Sequence, residues 1–100
     1  MNNKNNILKM IEYPKAGILS KTVIEDKKND VTLFCMAKGS SMSEHTSTKS
    51  GFVYVLEGKG IFNLKGKKIK MRPGVFIFMK ENDKHSLSAE LNTSFLLSLR

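Results

Sequence analysis

Turn signals interrupt this chain at intervals of roughly 8 to 12 residues, a spacing that leaves room for short strands and nothing longer. The segments KKND, KGSSMS, EGKG, KG, RPG, KENDK and ELN divide runs rich in β-branched and aromatic residues. Strands are expected over 18–25, 31–37, 52–56, 61–64, 68–71, 75–79, 85–89 and 94–99. No long segment shows a 3.6-residue apolar period, so the pattern predicts an all-β sandwich or barrel. Only residues 5–13 can hold a helical turn or two, and Pro14 ends them.

Two of these strands break the alternation expected of a half-buried strand. Phe52-Val53-Tyr54-Val55-Leu56 and Val75-Phe76-Ile77-Phe78-Met79 are apolar on both parities, as strands are when both faces are covered. One face can fill the interior. For the other, a second copy of the chain is the favoured cover, giving a homodimer; the alternative is that Ile7, Leu8, Met10 and Ile11 fold back over it. Tyr54 falls on the outer parity.

The chain has 100 residues, which make one domain, 1–100. Its net charge of +8 comes from 15 Lys, 2 Arg and 9 acids. Arginine, the residue suited to phosphate and base forks, is nearly absent, which argues against a nucleic-acid partner. Lys65, Lys67, Lys68 and Lys70 flank Gly66 in a hairpin tip, where solvated lysines are ordinary. No apolar run approaches a membrane span, and the first residues lack a signal-peptide core, so no membrane association is expected. Cys35 is the single cysteine. It rules out an internal disulfide and points to a cytoplasmic protein.

Two spacings carry chemistry. Gly39 is followed by five residues and then His45, and Gly51 and Gly58 are separated by six. Later, His85 falls eleven residues after Gly74. In this order, separated by a hairpin, the two frames resemble the motifs of the cupins, G-x5-H-x-H-x3,4-E-x6-G and G-x5-P-x-G-x2-H-x3-N. The resemblance covers roughly residues 31–89. It implies a double-stranded β-helix, or jelly-roll barrel, here with a short N-terminal extension. In metal-binding cupins, three histidines and a glutamate gather inside the barrel near one mouth. This chain departs from that set. Ser47 stands at the second histidine position and Gly51 at the glutamate position, so the resemblance leaves only His45 and His85. Lys80, Asn82 and Ala89 replace the proline, glycine and final asparagine of the second motif.

The first reading is therefore a cupin that binds a small polar or anionic molecule through His45, Ser47 and His85, with Lys80 or Lys84 at the rim. The second is a metal-dependent enzyme of the oxygenase or isomerase type. His45 and His85 would then ligate a divalent transition metal (Zn, Mn, Fe or Ni), supplemented by Glu44 or Cys35. Glu44 points inward only if a bulge turns it, and both parities of the strand carrying Cys35 are apolar. Met42 is expected to anchor the segment GSSMSEHTSTKS, read as a polar approach loop, and the other methionines to fill the core. No nucleophile motif, phosphate loop or carboxylate pair is present.

Overall fold

A computed structural model describes residues 4–100. One helical turn, α1 (Ile7–Met10), precedes nine strands: β1 (Ile18–Glu25), β2 (Asp30–Met36), β3 (Ser41–His45), β4 (Gly51–Glu57), β5 (Gly60–Leu64), β6 (Lys67–Met71), β7 (Phe76–Met79), β8 (His85–Ala89) and β9 (Thr93–Leu99). They form a five-stranded sheet, β1-β2-β9-β4-β7, and a four-stranded sheet, β3-β8-β5-β6. Every paired neighbour is antiparallel. The all-β architecture that the spacing of turns predicts is observed, in the jelly-roll form that the resemblance implies.

The inner faces follow the alternation of the pleat. Val53, Val55, Ile77, Met79 and Phe95 of the larger sheet meet Phe62, Met71, Leu87 and Ala89 of the smaller one in a single buried cluster. Each fully buried side chain of this size contributes about 1.5–3 kcal/mol through apolar burial. The β5–β6 tip turns at Lys65 and Gly66, both in the left-handed region (φ 52° and 83°), as a two-residue turn matched to strand twist requires.

All eight expected strands are present, with ends shifted by no more than one residue. The ninth, β3, corrects the approach-loop reading of residues 39–50. Its sequence, SMSEH, has no β-branched or aromatic residue to mark it as a strand. It is held by pairing with β8, where Ser41, Met42 and His45 face Ser88, Leu87 and His85. Tertiary pairing here overrides local preference.

The N-terminal segment does return to the sheet, but not over the two doubly apolar strands. Lys21 on β1 donates to the Met10 carbonyl at 2.9 Å and pairs with Glu12 at 2.9 Å. The Tyr13 hydroxyl donates to Glu57 at 2.6 Å. On this side of the sheet Leu33, Cys35 and Ser94 are fully buried. The outer face of β4 and β7 stays open: Phe76 is 58%, Phe78 57% and Tyr54 40% exposed. Phe52 stacks on Phe76 with centroids 4.9 Å apart. No helix among the described residues is long and apolar enough to cross a membrane.

Candidate functional site

His45 and His85 lie directly opposite each other on β3 and β8. Their ring centroids are 4.1 Å apart and their planes are inclined by 65°. A bulge brings this about. Between the Met42–Leu87 and His45–His85 pairs, β3 carries one residue more than β8. The extra residue lets Met42 and His45, three apart in the chain, face the same interior, as bulges beside functional sites often do.

Both rings are oriented in the same way. His45 Nδ1 is 2.7 Å from the Ser43 carbonyl oxygen, and His85 Nδ1 is 2.9 Å from that of Asp83. A carbonyl only accepts, so each proton is assigned to Nδ1, and Nε2 of each neutral ring keeps a free lone pair. The two histidines differ in depth. His85 is only 7% exposed and lies parallel to Phe62, with centroids 5.8 Å apart and planes 5° apart. His45 is exposed. One imidazole thus belongs to the wall and the other to the rim.

Behind them lies a chamber of about 60 Å³. Its wall is apolar, formed by Phe34, Met42, Phe62, Met79, Phe95 and their neighbours, with the two imidazoles as the polar side chains. One water needs roughly 10–15 Å³ on this measure, so the chamber takes a few waters or an ion. A larger ligand would keep most of its bulk outside.

The other candidate residues do not line the chamber. The Ser47 hydroxyl accepts the Lys49 amide at 3.1 Å, and its carbonyl accepts the Asn82 amide at 2.7 Å. Because β3 ends at His45, Ser47 does not share a strand face with it. Glu44 is exposed. Cys35 has the parity opposite to Phe34, which lines the chamber, and lies buried toward the N-terminal segment. Lys80 lines a separate surface groove of about 360 Å³ with Lys65, Lys67, Phe78 and Asp83. Lys84 is exposed, and its carbonyl accepts the Lys65 amide at 2.8 Å. Met42 both anchors β3 to the core and lines the chamber. Sequence reasoning missed Met79 and Phe62 as site residues. Their inward parity was readable, but not their approach to the histidines.

A cupin-type set of three histidines and a carboxylate does not fit here. Among the described residues no group of three His, Cys, Asp or Glu could hold a metal ion. At Gly51, a Cβ would overlap the Ser98 carbonyl oxygen and approach Leu99 Cδ2 to 2.9 Å. No glutamate can stand there without moving β9. Asn82, at the family's glycine position, has φ 65°, in the left-handed region that asparagine tolerates better than most residues.

Comparison with known proteins agrees with the fold. A cupin superfamily protein from Desulfitobacterium hafniense superposes with a TM-score of 0.89 at 18% identity, covering 99% of this chain and 92% of that one. A cupin 2 conserved barrel domain protein from Leptotrichia buccalis gives 0.87 at 28% identity, covering 95% of this chain and 46% of that one. Salicylate 1,2-dioxygenase from Pseudoaminobacter salicylatoxidans gives 0.78 at 17% identity, covering 83% of this chain and 26% of that one. No protein of curated function matches. Residues 32–97 match the cupin domain family, and the chain belongs to it.

Proposed function

We propose that this cupin binds a small ligand at the His45–His85 pair and lacks the metal chemistry of a complete cupin site. The observation that carries this is the pair itself: two imidazoles 4.1 Å apart, both tethered through Nδ1, above a small apolar chamber. Two free Nε2 lone pairs recognise an electron-pair acceptor, either the hydrogen of a hydroxyl group or a metal ion. The groove of Lys65, Lys67 and Lys80 includes Asp83, whose carbonyl holds His85. A ligand with a hydroxyl at the imidazoles and a carboxylate or phosphate toward these lysines would use both features, so a small hydroxylated anion is the class proposed.

The test is a thermal-shift titration with hydroxy acids and small phosphates, run in parallel on wild type, His45→Ala and His85→Ala. A ligand at 100 times its dissociation constant should stabilise the wild type by about 2.7 kcal/mol. The stabilisation should vanish in both variants. A response that survives loss of both histidines would overturn the proposal.

One observation favours a metal-dependent reading as well. Rings tethered through Nδ1 are poised as metal-ligating histidines are, with Nε2 free. Among the fold relatives is salicylate 1,2-dioxygenase, one variant of which was solved with gentisate. An oxygenase or isomerase reading would require stoichiometric metal in protein purified without a chelating tag, lost on replacing either histidine.

We further infer that the working unit is a homodimer joined through the open face of β4 and β7. Phe52, Tyr54, Phe76, Phe78, Leu96 and Ser98 share that face through the pairing register. None is charged, in a chain of net charge +8. The same face of a second copy offers a matching aromatic surface, with the groove lysines at its border beside Phe78, as a self-complementary two-fold contact can accommodate.

A further inference from the structure

Strand β6 ends the smaller sheet, and among the described residues no strand pairs with its outer edge. The direction of its backbone groups follows from its neighbour β5, whose pairing runs without a bulge on either side. At the two ends of β5, the Lys59 carbonyl accepts the Glu90 amide at 2.8 Å, and the Lys65 amide donates to the Lys84 carbonyl at 2.8 Å. Odd-numbered residues of this strand therefore turn their backbone toward β8. Gly60, Phe62 and Leu64 turn theirs toward Met71, Ile69 and Lys67 of β6. Successive residues of an antiparallel strand point their N–H and C=O groups to opposite sides. Lys68 and Lys70 thus aim theirs away from β5, at the open edge.

Side chains add charge to that edge. Met71 and Ile69 face the core, so Lys68 and Lys70 project from the outer face, where both are exposed. Two residues along a strand span roughly 6.6 Å. Beyond them, Lys70 and Arg72 line a recess of about 200 Å³ with Lys59, Ile61 and Glu90. Glu90 pairs with Lys59 at 3.4 Å. Among the described residues, Lys68, Lys70 and Arg72 have no ion-pair partner.

We propose that β6 is a docking edge for an extended acidic segment of a partner protein, which adds antiparallel to the smaller sheet as its fifth strand. Such addition draws affinity from main-chain hydrogen bonds and specificity from alternate side chains. Residues opposite Lys68 and Lys70 exchange backbone hydrogen bonds with them and share their face. Acids at these two positions meet one lysine each, and a third reaches Arg72. Charge decides the occupant. A second copy of β6 would set lysine against lysine, the usual protection of an exposed edge. An acidic strand turns that repulsion into attraction. A nucleic acid has no amide pattern to pair with the edge. Nor does the outer face offer an aromatic ring for a base to stack on, since its neighbouring residues are Asn63, Ile61, Ser86 and Ser88. The edge shares no residue with the histidine pair and goes beyond the small-ligand reading.

Fluorescence anisotropy of the full chain with a labelled eight-residue peptide of alternating glutamate and threonine tests the proposal. Lys68→Glu with Lys70→Glu should weaken binding at least tenfold. The charge-matched control, Lys15→Glu with Lys38→Glu, alters two exposed lysines elsewhere and should leave it unchanged. Methylating the glutamate amide nitrogens keeps the charge of the peptide but removes its bonds to β6, and should also weaken binding at least tenfold. Amide exchange followed by NMR should find Lys68 and Lys70 unprotected in the free chain and protected in the complex, with Ile69 and Met71 protected in both. Three results would each overturn the docking edge: no binding, equal binding of the methylated peptide, or tighter binding of an eight-nucleotide DNA single strand. A chain that ignores the peptide but responds to hydroxy acids through its histidines refutes the edge and leaves the small-ligand reading standing.

Discussion

Gly51 and the Ser98 carbonyl are packed so closely across β4 and β9 that a single added methyl group at residue 51 would overlap the oxygen. The absence of the cupin glutamate is therefore built into the backbone spacing and is more than a side-chain difference.

Gly51→Ala should destabilise the fold by about 1–3 kcal/mol, the usual range for overpacking, measured by urea unfolding. Gly51→Glu with Ser47→His would restore the family's residue types but should not restore tight divalent-metal binding. A stable double variant holding one divalent ion per chain would show that β9 can move aside.

Replacing the two histidines should have unequal effects on stability. His85 is buried against Phe62 and satisfies the Asp83 carbonyl, so His85→Ala should cost about 1–3 kcal/mol. His45 is exposed, and His45→Ala should stay within about 0.5 kcal/mol of wild type. Long-range proton–nitrogen NMR correlations should find both neutral rings protonated on Nδ1. A ring protonated on Nε2 would contradict the carbonyl tethers.

Phe76→Lys introduces a cation into the neutral outer face, beside Phe52. Light scattering after size exclusion should find a dimer for wild type and a monomer for this variant. A wild-type chain that remains monomeric at every concentration measured removes the proposed interface.

The Tyr13 hydroxyl titrates well above its ordinary value of 10.0, first because of burial and second because it donates to Glu57. A value raised on folding means that the protonated form stabilises the fold. That contribution is complete below pH 10 and is lost as pH rises beyond it. Tyr13→Phe should remove this alkaline loss, so the stability difference between wild type and variant should be constant below about pH 10 and shrink as pH rises beyond it. If wild type and variant follow the same curve between pH 9 and 12, the clasp contributes nothing.

How legible was this fold? Strands with strong alternation or dense β-branched residues, such as those bearing Val53 and Val55 or Thr22 and Val23, were readable almost to the residue. Strand β3 was not, because Ser41, Ser43 and Glu44 carry no strand preference and the element exists through its partner. The convergence of His45 and His85 was readable only through the family frame. Local spacing could not predict the bulge that aligns Met42 with His45, since a bulge breaks the two-residue period on which such reasoning depends. Nor could it place Cys35, whose strand is apolar on both parities. The site's apolar character, set by Phe34, Phe62 and Met79, follows from sheet pairing across distant parts of the chain.

The sealing of Cys35 has a practical consequence. Its sulfur is inaccessible and lies on the side of the sheet crossed by residues 10–13, so a thiol reagent can reach it only when that strap lifts or the whole molecule opens. Labelling kinetics in native buffer would therefore clock the detachment of the chain's leading end. Tyr13→Phe should quicken that clock while leaving the barrel itself unchanged.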